Sequence, residues 1–136
     1  MVAAAGGRDL HPHAASQAED RERWDRDVAA FNQDLRDIDR FFVELVTVEL
    51  TDRDEIRERG LGYYSDQGPW FTVGWKMAVV VEQARGREHL VASLCEPERL
   101  LIDYNEIARE RNAAGEDLAV WSETVVNVLG NVNALR

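Results

Sequence analysis

The sequence predicts an all-α fold, an irregular bundle of five or six helices with one long N-terminal amphipathic helix and a buried central helix. Three observations predict it. Trp24, Val28, Phe31, Leu35, Ile38, Phe42 and Leu45 recur at alternating steps of four and three, so all seven share one helical stripe. Residues 69–85 are apolar nearly all round, as a helix covered on every side must be. Gly and Pro at 60, 68, 69, 86, 97, 115 and 130 separate stretches of helical length.

Residues 1–15 are Ala/Gly-rich around His11-Pro12-His13 and carry no period, which predicts a flexible N-terminal arm ahead of a single domain over 16–136. Ser16 and Glu19 have capping-box spacing. No Gly or Pro interrupts residues 17–50, and a straight helix of that span would measure about 51 Å at ~1.5 Å per residue. A domain of this length has a radius of gyration of only about 14 Å. The helix is therefore expected to bend or fray around Val46-Thr47-Val48, or to project toward a partner. Thr51 reads as the cap of a short helix to Arg59 that Gly60 ends, followed by a loop over 60–68 holding Tyr63, Tyr64 and Asp66. Pro69 suits the first turn of the central helix, and Gly86 closes it. A short helix over 87–94 follows, then one opened by Pro97 and ending between Asn112 and Gly115. Ser122 caps the last helix, though the β-branching of 126–132 leaves a strand open there.

The charge count, 16 Lys+Arg against 26 Asp+Glu, gives a net of −10 and argues against nucleic acid or an anionic lipid surface as partner. Cys95 is the one cysteine, and the N-terminal run before Gly6 lacks the basic start and length of a signal-peptide core, so the expected location is cytoplasmic. The most apolar stretch, Trp70–Val81, falls short of the roughly 20 residues that span a bilayer, so no membrane association is expected.

Chemistry-bearing residues are few. His11 and His13 place two imidazoles on one side of an extended arm, a metal pair that a divergent metal-dependent hydrolase would need; an incidental His-x-His is the plainer reading. His89, beside Glu88 on a short helix, reads as a partly exposed surface residue. Cys95 stands near Glu96 and Glu98, which disfavour a thiolate. Asp34, Asp37 and Asp39, with Glu44 and Glu49, alternate with arginines in the pattern of a solvated helix face. The aromatic-rich segment 62–71 leads into the central helix, and Tyr63, Tyr64, Trp70, Phe71, Trp75, Glu82 and Tyr104 are the pocket candidates of a small-molecule binding module. Rings that merely cap the core are the alternative, and Arg85 is the expected partner of Glu82.

The run Gly68-Pro69-Trp70-Phe71-Thr72-Val73-Gly74-Trp75-Lys76-Met77-Ala78, followed by Glu82, Gly86-Arg87, Leu90, Pro97 and Tyr104-Asn105, resembles the C-terminal helical region of a bacterial family described as zinc-dependent peptidases. The similarity extends over about 16–112. It implies an all-α fold akin to the second half of a peptidase domain, with zinc as a candidate cofactor and no peptidase activity implied for this chain. In that family a His-Glu-x-x-His helix and a later glutamate hold the metal, ahead of the region matched here. No His-Glu-x-x-His occurs in these 136 residues, so the two imidazoles one turn apart and the water-activating carboxylate are missing. Phe71 also stands where the family tends to carry tyrosine. The leading expectation is a non-catalytic or truncated relative that works through association with itself or another protein. The apolar stripe Trp24, Val28, Phe31, Leu35, Ile38, Phe42 and Leu45 would form the interface, flanked by 8 basic and 14 acidic residues over 17–60.

Overall fold

A computed structural model of the chain describes residues 18–64 and 68–133. The arm over 1–15, its His11 and His13, the Ser16 cap and Asp66 lie outside the described residues. Seven helices and no strand occur among the described residues: α1 Ala18–Ala29, α2 Phe31–Val46, α3 Arg53–Tyr64, α4 Pro69–Arg85, α5 Arg87–Leu94, α6 Pro97–Ala113 and α7 Glu123–Asn133. The all-α expectation holds, and the strand alternative over 126–132 does not.

The long first helix is two. A single turn residue, Ala30 (φ −80°, ψ −2°), separates α1 from α2. The bend lets both halves of the stripe reach the body: Trp24 packs edge-on against Trp75 of α4 with ring centroids 5.2 Å apart, while Phe31 meets Tyr104 of α6 at 6.1 Å. The helix ends at the β-branched run, where Val48 takes φ +61° in a closing turn. Glu49 N–H donates to Glu44 O at 2.9 Å and Val48 N–H to Leu45 O at 3.3 Å, the paired bonds of a left-handed C-cap that ordinarily calls for glycine.

Two boundaries near α3 differ from expectation. Asp52 rather than Thr51 caps it, since Oδ1 of Asp52 accepts from the N–H groups of Asp54 and Glu55 at 2.9 Å each. Gly60 does not end it; α3 continues through Gly60 and Gly62 to Tyr64. Tertiary contacts outweigh the poor propensity of glycine there. The Tyr63 ring stacks on Phe41 at 5.5 Å, its hydroxyl donates to Asp37 O at 3.3 Å, and Arg59 pairs with Glu44 while lying over the Phe41 ring. Phe41, absent from the predicted stripe, is buried for this reason.

Helix α4 is the centre of the bundle, packed against α1, α2, α3, α5 and α6. Its Val73, Met77, Val80 and Val81 join Phe31, Leu35 and Ile38 of α2 and Tyr104 and Ile107 of α6 in one core. Glu82 is paired with Arg87 at 2.9 Å, and the expected partner Arg85 reaches Glu106 of α6 instead.

After α6 the chain turns at Gly115 (φ +101°), with Glu116 N–H donating to Arg111 O and Gly115 N–H to Asn112 O, both at 3.0 Å. Residues 116–122 then run without regular secondary structure back across α6 and α2, and Ser122 caps α7 as expected, its Oγ accepting from Val125 N–H at 3.3 Å. This segment contributes Ala119 and Trp121 to the core.

Candidate functional site: an apolar cleft beside the central helix

The pocket candidates of the sequence do not converge. Tyr104 is fully buried, its hydroxyl donating to Ala119 O at 2.6 Å, and burial pushes its phenol well above the ordinary value of 10. Trp75 packs on Trp24, with an indole N–H that is buried and has no hydrogen-bond partner among the described residues. Tyr63 docks α3 onto α2. Tyr64 and Phe71 are exposed and touch each other, with centroids 5.3 Å apart. Glu82 is held in its ion pair. Trp70 lines a cavity formed by described residues.

That cavity is an apolar cleft of about 410 Å³ between α2, α4 and α6, closed at one side by Trp121. Ile38, Phe42, Met77 and Leu101 form its apolar walls. The Phe42 ring bridges Trp70 at 5.6 Å and Trp121 at 6.2 Å, so three aromatic rings line it in sequence. The Trp121 indole N–H is spent on Met77 Sδ at 3.3 Å, which leaves the walls nearly free of polar groups. Trp70 remains 40% exposed at the mouth.

Gly74 also lines the cleft, in the middle of the central helix, and a Cβ placed there would meet nothing within 4 Å. Glycine in a helix interior costs about 1 kcal/mol relative to alanine. No close approach of another backbone requires it, and the space beside it is open. Sequence reasoning found Trp70 but missed Trp121, the third ring of the cleft. The signal was the continuous apolar run Leu118-Ala119-Val120-Trp121 between Gly115 and the Ser122 cap, of which Ala119 and Trp121 are buried and Leu118 and Val120 half-buried.

A second polar constellation lies between α5 and α6. His89 Nε2 is 2.7 Å from Asp103 Oδ2, and the same oxygen accepts from Ser93 Oγ at 2.8 Å, with Arg99 at 4.0 Å. Burial works against the Asp103 carboxylate, but the hydrogen bonds from Ser93 and His89, with the charges of His89 and Arg99, outweigh it and hold the group below the usual 3.8. His89 is partly exposed, as expected, and is also the partner of a buried carboxylate. Serine, histidine and aspartate meet here, but the carboxylate sits between the other two. Ser93 Oγ donates to Asp103 and to His89 O, and no imidazole nitrogen faces it to take its proton. The trio ties α5 to α6.

The apolar stripe predicted as an interface is taken up within the chain. Trp24, Phe31, Leu35 and Ile38 are buried, and Val28, Phe42 and Leu45 are half-buried. On the expected solvated face, Asp39 accepts from the N–H and Oγ of Ser122, both at 2.9 Å.

A family model described as "Putative zinc dependent peptidase (DUF5700)" matches residues 1–113. The chain belongs to this family. No curated protein and no solved structure matches it. The donor set of the described residues does not fit the zinc that the family name implies. Among them no three His, Cys, Asp or Glu side chains come together as ligands. Their single imidazole–carboxylate pair is closed on itself and on Ser93, and Cys95 stands exposed at the end of α5. No helix among the described residues is long and apolar enough to cross a membrane.

Proposed function

We propose that this chain is a non-catalytic member of the zinc-dependent peptidase family that works as a binding module, taking an uncharged apolar group into the cleft beside Trp70. The observation that carries this reading is Gly74, a helix-weakening residue in the central helix whose missing side chain opens onto the cleft floor. Two further features support it. The cleft volume, about 410 Å³, lies in the range of small-molecule sites, roughly 300–1,000 Å³. Its aromatic, nearly nonpolar walls select by shape and desolvation and give a charged ligand no partner. The absence of His-Glu-x-x-His from the 136 residues supports the non-catalytic part.

The test is binding of the neutral dye N-phenyl-1-naphthylamine, followed by dye emission and by quenching of tryptophan. We expect saturable binding, weakened at least tenfold by Trp70→Ala and abolished by Gly74→Leu, which fills the open space without touching the backbone. Binding unaffected by Gly74→Leu would overturn the assignment of the cleft. The non-catalytic part is tested with protein prepared without a histidine tag and equilibrated with zinc chloride. One tightly held zinc, lost on replacing His11 and His13, together with chelator-sensitive peptide hydrolysis, would show an enzyme instead.

A further inference from the structure

Three aromatic rings are exposed among the described residues, and they stand together where α3 ends and α4 begins: Tyr64 at 60%, Trp70 at 40% and Phe71 at 40%. Leu61, 59% exposed, lies one turn before Tyr64 on the same face of α3. The Tyr64 ring touches Phe71 with centroids 5.3 Å apart, Phe71 adjoins Trp70 in the chain, and Trp70 meets Phe42 in the cleft wall at 5.6 Å. The four side chains therefore form one apolar ridge that leads from Leu61 into the mouth of the cleft. The other five exposed large hydrophobic residues among those described are four valines and one isoleucine, at 46, 48, 91, 102 and 128.

The packing of α3 does not account for the ridge. That helix is docked by Tyr63 on Phe41 and by Arg59 on Glu44, which leaves Leu61 and Tyr64 outside the contact. The exposed part of the four side chains comes to about 400 Å², a patch of the size that on a monomer is often functional. A stable protein interface needs roughly 800 Å² from each partner. The ridge offers about half of that, one side chain wide, and runs into a cavity. Those dimensions suit a single thread of apolar atoms better than a protein face.

We propose that the ligand of the cleft is a linear alkyl chain longer than the cleft, with one end between Trp70, Phe42 and Trp121 and its remaining methylenes laid along Phe71, Tyr64 and Leu61. The proposal rests on the cleft being a binding site and adds the class of its ligand. The nearly nonpolar walls call for an apolar occupant, and the ridge calls for one that continues past the mouth. A linear chain meets both demands, because it can bend from a cavity onto a narrow surface. A compact ring system that fits the cleft leaves the ridge in water.

The test loads the full chain with N-phenyl-1-naphthylamine and displaces the dye with 1-hexanol, 1-octanol, 1-decanol and 1-dodecanol. Affinity is expected to rise with every methylene, about fourfold for one enclosed in the cleft and about twofold for one that the ridge covers on one side. Tyr64→Ser combined with Phe71→Ser, both at exposed positions, should leave 1-hexanol within twofold of the wild type and weaken 1-dodecanol at least tenfold. If that double variant does not fold, Leu61→Ser at the far end of the ridge decides the matter, since it should weaken 1-dodecanol and not 1-hexanol. The proposal is overturned, with the cleft still a binding site, if the dye binds but all four alcohols displace it equally well, or if the ridge variants weaken both ends of the series alike. Failure of the dye to bind saturably would remove both readings. Ridge-dependent binding to phosphatidylcholine vesicles without displacement of the dye by the alcohols would make the ridge a bilayer anchor and would overturn the proposal as well.

Discussion

Replacing Asn105 with alanine tests how much of the fold depends on side chains standing in for a missing strand. Asn105 is 2% exposed and Trp121 is 5% exposed, so truncation removes two hydrogen bonds of 2.9 Å and strands a buried N–H and a buried C=O. Each intramolecular bond contributes about 1 kcal/mol net, and a buried polar group left unpaired costs about 1–3 kcal/mol. The sum is about 2–4 kcal/mol, the lower end applying if water enters from the shallow cleft between α6 and α7 that Asn105 also lines. At about 4 °C of Tm per kcal/mol for a domain of this size, melting falls by roughly 8–16 °C. Asn112 makes the same pair of bonds to Leu118 in a half-buried setting, where solvent replaces what is lost, so Asn112→Ala should cost about 1 kcal/mol. Urea denaturation followed by far-ultraviolet circular dichroism and by tryptophan emission measures both. Equal costs for the two, or less than about 0.5 kcal/mol for Asn105→Ala, would refute the argument from burial.

Four further outcomes are expected. Val48→Gly relieves a β-branched residue at φ +61° and should stabilise the chain by about 1 kcal/mol in urea titration, despite the larger unfolded-state entropy of glycine. Phe31→Ala empties a site that is 4% exposed between α2 and α6 and should cost about 3–5 kcal/mol by the same measurement. Trp75→Phe keeps a ring against Trp24 and removes a buried N–H without a partner; its stability should be unchanged or higher, and a loss above about 1 kcal/mol would contradict the packing described. Because the folded state lowers the Asp103 pKa below 3.8, its contribution is fully present above that value and is lost as pH falls through and below it. Asp103→Asn should therefore flatten the acid limb of the stability profile below about pH 4 while lowering the plateau above it.

How far the sequence is legible depends on the range of the interaction that decides each feature. The central helix, its Pro69 start and Gly86 stop, the Pro97 start of α6 and the Ser122 cap of α7 were all readable, because caps and period act within a few residues. Gly60 misled for the complementary reason: Arg59 on Glu44 and the Tyr63 hydroxyl on Asp37 O are contacts across 15 and 26 residues, and with Tyr63 on Phe41 they carry α3 through two glycines. Asp39 looked like one carboxylate among many on a solvated face until Ser122 was placed beside it, 83 residues away. In the cleft, Trp70 was visible as an aromatic at a helix start, whereas Trp121 belongs to a segment with no periodic helix signal, held by Asn32, Asn105 and Asn112 from 85, 16 and 6 residues away.

By itself the sequence determined an all-α class, the central position of residues 69–85, a charge that opposes phosphate surfaces, membership suspected from the run 68–105, and the lack of a zinc-binding helix within these 136 residues. The class, the central helix and the charge follow from composition and from patterns of period 3.6, which local chemistry enforces; the family resemblance and the missing motif rest on the residues quoted for them. Tertiary structure decided where the apolar stripe went, namely into the chain's own core. It also decided that Gly74 lines an apolar cleft and that Asn32, Asn105 and Asn112 converge on one extended segment. Those outcomes depend on which helix faces meet, and bent helices joined by short turns bring together residues whose separation in sequence carries no period.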